Sequence, residues 1–88
     1  MKEKELEKIL KALASRRRLA ILKFLKHNRE AAVNEIARAI KLSFKSTSKH
    51  LSILKAMDIV EHDQRGLLMF YSLSDSLRPM INHWLNYL

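Results

Sequence analysis

Two short helical patterns stand almost back to back between Val33 and Leu54, in VNEIARAIKLSFKSTSKHLSIL, and no other stretch limits the fold so tightly. Val33, Ile36, Ala37 and Ile40 recur at i, i+3, i+4 and i+7, the apolar stripe of a helix that docks on a core. Ser43 is a good N-cap for a second helix, which carries Thr47, Leu51 and Leu54 on one face. Lys41, Leu42 and Ser43 are all that separate them. Two helices joined by a turn of about three residues make a helix-turn-helix, whose second helix can enter a DNA major groove. Residues 43 to 57 hold Lys45, Lys49 and Lys55 and no acid. That combination points to DNA.

Around this pair the chain reads as five further segments. Leu6, Ile9, Leu10 and Leu13 share one face of a helix over 3–14, with Lys and Glu opposite. Ser15 can cap a second helix from Arg16, in which Leu19, Ile21, Leu22, Phe24 and Leu25 surround most of the axis. Such a helix is central and largely buried. His27 and Asn28 close it, and Arg29 to Ala32 form a short connector. After Met57 the period changes: IVEHD (59–63) and LLMFYSL (67–73) flank Gln64, Arg65 and Gly66 and predict a β-hairpin. Gly66 is the only glycine, and a hairpin turn is where positive φ is needed.

A last helix carries Leu77, Met80, Ile81, Trp84, Leu85 and Leu88 at helical spacing. Pro79 is tolerable only in its first turn, so it should start between Ser74 and Arg78. The order α-α-α-α-β-β-α is a mainly α (α+β) fold, a winged helix-turn-helix with an extra helix at each end, and residues 1–88 make one domain. Chains this small bury only roughly 60 to 65% of their unfolded surface. The stripes on the first and last helices are too apolar to stay exposed. Leu6, Ile9, Leu10, Leu13, Leu77, Met80, Ile81, Trp84, Leu85 and Leu88 are therefore the expected homodimer interface.

Charge narrows the partner. The net charge is +8, with ten Lys/Arg against four Asp/Glu in residues 1–30 and five against one in residues 31–57. Residues 58–73 reverse the balance, one against three, and the remainder is neutral. The excess lies on the N-terminal helices and the helix-turn-helix, as a phosphate-facing surface requires. A basic membrane-binding helix is the rival, but no single helix is both strongly basic and freely amphipathic. With no apolar leader and no run of membrane-spanning length, the default compartment is the cytoplasm. Cysteine is absent, so disulfides and thiolate chemistry are excluded. No Ser/His/Asp set, Gly-rich phosphate loop or paired carboxylates can be argued, which speaks against an enzyme, and nothing calls for a cofactor.

On a helical wheel Lys45, Ser48, Lys49 and Ser52 point away from the Thr47–Leu51–Leu54 face and toward base edges. Lys can donate to guanine O6 and N7, and Ser to bases or phosphates. Ser43, Phe44 and Ser46 complete the DNA-facing set at the start of that helix. Phe44 is placed either to touch a thymine methyl or to cover the turn. His50 sits on the flank and reads as a packed, hydrogen-bonded histidine. Arg65, in the hairpin tip, is placed to meet the minor groove or phosphates. Arg16, Arg17 and Arg18 open a helix, a poor place for cations, which suggests an external anion or an acidic neighbour. The four histidines form no metal site by spacing.

The chain resembles the ArsR-type winged-helix repressors over nearly its whole length. LASRRRLAIL (13–22) is similar to the family's "ALadptRlrIL", which puts Arg18 on the family arginine and makes it equally a structural residue. VNEIARAIKLSFKSTSKHLSILKAMDIV (33–60) matches "vseLaeaLglsqstvSrHLkvLreaGLV", with Ser48, His50, Leu51 and Leu54 on typical positions, and MFYSL (69–73) matches "vyYsL". The resemblance implies a homodimeric repressor, sequence-specific for double-stranded DNA at a palindromic operator. Metal-sensing relatives carry Cys-x-Cys where this chain has Ala32 and Asn34, or Asp, two His and an acid where it has Asp75 and a lone His83. The expectation is a regulator that does not sense metal; no residue pattern identifies an inducer. A MarR-like regulator and a winged-helix protein–protein module are the alternatives, since fold alone does not fix function. Two usual family glycines are replaced by Lys41 and Asp58, at a cost of about 1 kcal/mol each if both need positive φ, less for Asp.

Overall fold

A computed structural model describes residues 1–86 of the chain. Five helices, α1 (Glu3–Leu13), α2 (Arg16–His27), α3 (Val33–Ile40), α4 (Phe44–Ala56) and α5 (Arg78–Trp84), accompany a small antiparallel sheet. Its strands are β1 (Ala31–Ala32), β2 (Val60–Arg65) and β3 (Leu68–Leu73), in the order β1-β3-β2. This is the winged helix-turn-helix, with β2 and β3 as the wing.

The helix boundaries follow the local chemistry. Ser15 caps α2, its side chain accepting the Arg18 N–H at 3.3 Å. Ala32 offers α3 no acceptor, but the Glu35 carboxylate takes the Ala32 N–H at 2.9 Å, the returning half of a capping box. Pro79 stands in the first turn of α5, where its missing N–H costs nothing. Helices α3 and α4 end in the same left-handed turn. Lys41 and Asp58 both have φ of 56°, and Leu42 and Ile59 return their N–H groups to Ala37 and Leu54, each at 3.0 Å. These are Schellman closures, and they occupy the two positions where glycine would be unstrained.

Beneath them lies one core. Ile21, Leu22 and Leu25 of α2, Ile36 of α3, Leu51 and Leu54 of α4, Ile59 and Leu73 are fully buried. Each such side chain contributes roughly 1.5 to 3 kcal/mol relative to exposure. α4 thus sits on the core by its Thr47–Leu51–Leu54 face, all three at 0% exposure, as the wheel predicts.

Three expectations need correction. The connector before α3 contains a strand: Ala31 pairs with Tyr71 and Ala32 with Phe70. Two alanines are too short to show an alternating pattern, so β1 is visible only through its partner. The hairpin turn is Gly66–Leu67, not Gln64–Gly66, since Arg65 still pairs with Leu68. Gly66 has φ of 62°, while Leu67 is not among the positive-φ residues, as a type II′ turn requires. Finally, the apolar stripes of α1 and α5 are divided. Ile9, Ile81 and Leu85 belong to the chain's own core and present almost no surface to a partner. Leu6, Leu10 and Trp84 remain exposed, Leu13, Leu77 and Met80 are half-buried, and Leu88 lies outside the described residues.

Candidate nucleic-acid interface

The turn at Lys41–Leu42 delivers the chain to Ser43, whose hydroxyl accepts the Ser46 N–H at 3.1 Å and starts α4. With the inner face of α4 on the core, Lys45, Lys49 and Ser52 are exposed and Ser46 and Ser48 half-buried. Among the described residues none of Lys45, Lys49 and Lys55 pairs with a carboxylate. Their charge is unanswered among the described residues. Phe44, at the first position of α4, is 61% exposed and therefore does not cover the turn. An aromatic ring at the tip of a cationic helix is suited to apolar contact with a thymine methyl.

The opposite flank of α4 is tied to α2. Arg18 donates from Nε to the Ala12 carbonyl and from Nη1 to Nδ1 of His50, the latter at 3.3 Å. A guanidinium only donates, so His50 must offer Nδ1 as an acceptor and carry its proton on Nε2. Burial, then Arg18, Arg17 and Lys49, push the His50 imidazole below its usual range and keep it neutral. His50 is thus the packed histidine expected from its position, and Arg18 a structural residue. Arg16 and Arg17 are exposed, with no carboxylate partner among the described residues.

Arg65 is placed differently from the sequence expectation. It is the last residue of β2, one step short of the turn, and its guanidinium is already engaged. Nη1 and Nη2 bond the two oxygens of Glu30 at 2.6 and 2.8 Å, and Nε bonds Asp63 at 2.9 Å. The guanidinium carbon also stands 4.6 Å from the centre of the Phe70 ring. The two carboxylates raise the Arg65 pKa further, and Arg65 lowers that of Glu30. Leu67, not a cation, stands fully exposed at the tip. Glu30 is the residue that reading the sequence missed; a contact spanning 35 positions leaves no local pattern.

No three His, Asp or Glu side chains gather around one point among the described residues. Asp75 instead lies 3.9 Å from Arg78.

Comparison with known proteins matches these elements. The family described as bacterial regulatory protein, arsR family, covers residues 15–62, from the cap of α2 into β2. The transcriptional repressor SdpR of Bacillus subtilis is 32% identical over 81 residues, which cover 91% of this chain and 89% of that protein. A cadmium resistance transcriptional regulatory protein, the CadC homolog of Staphylococcus aureus, is 34% identical over 71 residues. The match covers 81% of this chain but only 59% of that relative. Among solved structures, the homodimeric winged helix-turn-helix DNA-binding domain Mb0332 from Mycobacterium bovis superposes with a TM-score of 0.87 at 28% identity. That superposition covers 96% of this chain and 78% of Mb0332.

Proposed function

The chain belongs to the arsR family of bacterial regulatory proteins, DNA-binding transcription regulators rather than enzymes, and on that premise we propose that residues 1–88 act as one winged helix-turn-helix unit, a homodimeric repressor of a palindromic operator. One observation carries the reading: α4 buries Thr47, Leu51 and Leu54 completely and leaves Lys45, Lys49 and Ser52 exposed, with Ser48 half-buried between them and no acid on the helix. Lysines whose charge is unanswered within the protein attract phosphates and release condensed counterions on binding. Ser43, Phe44 and Ser46 lead the helix into the major groove.

The homodimer rests on α1 and α5. Leu10 and Trp84, 47% and 39% exposed, with Leu6 and half-buried Leu13, Leu77 and Met80, are the apolar surface that a second copy would cover. A two-fold axis there sets the two α4 helices about 34 Å apart, one DNA turn, which demands a palindromic site. Ala32 and Asn34 offer no thiolate and His83 stands alone on α5, so any regulation of binding is expected through abundance, an organic ligand or another protein rather than the relatives' metal sites. Work on DNA places the protein in the cytoplasm; no described helix is long and apolar enough to cross a membrane.

Titration of the purified protein on its own promoter fragment and on a scrambled duplex tests this reading. The promoter should bind at least roughly a thousandfold tighter, with both affinities falling steeply as salt rises. Equal affinity for the two duplexes would refute sequence-specific repression.

A further inference from the structure

The wing carries a cluster that DNA binding by α4 leaves unexplained. Arg65 and Asp63 lie two apart on β2, so they share a face of the sheet. Phe70 stands opposite Asp63 on β3, and Ala32 of β1 stands opposite Phe70. Glu30 precedes Ala32 by two residues and meets Arg65 on this face. The Arg65 guanidinium crosses this row over the Phe70 ring and ends in a two-pronged bond to Glu30. One side chain therefore straps the far strand of the wing to the segment that leads out of α2. The strap has work to do, because a two-stranded hairpin alone is marginally stable and β1 adds only two residues. Beyond Val60 every residue of β2 is exposed, so the hairpin is seated by Tyr71 and Leu73 of β3, and the outer part of β2 has no core packing of its own.

We propose that Glu30 is a positioning residue of the wing: its carboxylate holds Arg65 across the sheet and so aims the hairpin relative to α4, and Arg65 is a strut rather than a phosphate contact. The proposal rests on the DNA-binding reading above. Three features favour a strut. The donor nitrogens facing the two acids are occupied in a paired, planar geometry that suits guanidinium and not ammonium. The face concerned bears Glu30, Glu61 and Asp63 against one arginine, a charge balance that repels phosphate. The tip itself presents Leu67.

Wild type, Glu30→Gln, Arg65→Lys, Arg65→Ala and the double variant E30Q/R65A are titrated on promoter and scrambled duplexes at two salt concentrations, and exchange of the β2–β3 amides is followed without DNA. Glu30→Gln makes the protein more positive, which by charge alone would tighten binding. The strut predicts the reverse, a loss of roughly twofold to tenfold on the promoter, matched by both Arg65 variants, with the double variant no worse than either single. Wing amides exchange faster in every variant, and the slope of affinity against salt is unchanged. Tighter binding by Glu30→Gln, a salt slope lower by about one unit in Arg65→Ala, or full affinity in Arg65→Lys would each identify Arg65 as a phosphate contact and overturn the proposal. Unaltered wing exchange in Glu30→Gln overturns it as well. If wild type itself fails to distinguish the duplexes, the DNA reading fails, and wing exchange still judges the strap by itself.

Discussion

The recognition helix and the wing both carry cations, in opposite surroundings. Lys45 and Lys49 stand on a helix with no acid from residue 43 to 57, and no carboxylate among the described residues answers them. Arg65 stands on a strand beside Asp63 and across from Glu30, and both answer it. The helix is anchored from below by Thr47, Leu51 and Leu54, all at 0% exposure, whereas β2 has only Val60 in the core. A basic residue thus signals nucleic acid only when its charge is left over after the fold has been satisfied. By that standard we propose the helix as the binding element and the wing as its accessory.

The largest test of this contrast is mechanical. Leu51→Ala removes a fully buried side chain beneath the recognition helix and should cost about 2 to 5 kcal/mol in urea denaturation. Leu67→Ser at the wing tip should change stability by less than about 0.5 kcal/mol. Comparable losses at the two sites would mean that the wing is as firmly seated as the helix.

A smaller difference lies in the two left-handed turns, one leading into α4 and one out of it toward the wing. Lys41→Gly should stabilise the chain by roughly 0.5 to 1 kcal/mol by relieving its positive φ. Asp58→Gly should gain less, because Asp visits that region more readily. Denaturation midpoints decide it, and a loss at Lys41 would show that its side chain contributes more than its strain costs.

Smallest is the response to acid, where the two anchors part company. His50, beside Arg18, has its pKa lowered by burial, so the folded state binds fewer protons than the unfolded one. Its contribution is complete above pH 6.5 and is lost as pH falls from there through the depressed value. Glu30 is held below 4.5 by its hydrogen bonds to Arg65, so its contribution persists down to pH 4.5 and disappears only as pH falls through the lower folded value. Amide exchange followed down the pH scale should therefore loosen α4 before the wing. The opposite order would break the assignment of anchors.

Much of the recognition helix was legible in the residues themselves. Its N-cap, its buried face and its outward lysines depend on spacing within a turn or two, while the left-handed Lys41 and Asp58 were implied only by the family resemblance, whose glycines they replace. What lay beyond local pattern went unread. Strand β1 exists because β3 lies beside it, and Glu30 meets Arg65 across 35 positions. The apolar stripes of α1 and α5 were visible, yet periodicity does not tell which part of a stripe turns inward. Ile9, Ile81 and Leu85 went to the chain's own core, leaving Leu6, Leu10 and Trp84 outside. Arg65 was read from its position alone, and position does not reveal that Asp63 and Glu30 already hold its guanidinium.

The central claim is that the recognition helix reads bases while the wing does not, and Lys49→Ala tests it most directly. Its affinity for promoter and scrambled duplex, measured beside wild type at two salt concentrations, gives the specificity ratio. This ratio should fall by an amount worth about 1 to 3 kcal/mol, with Arg65→Ala lowering affinity but keeping more of the discrimination. A ratio unchanged in Lys49→Ala and collapsed in Arg65→Ala would contradict it.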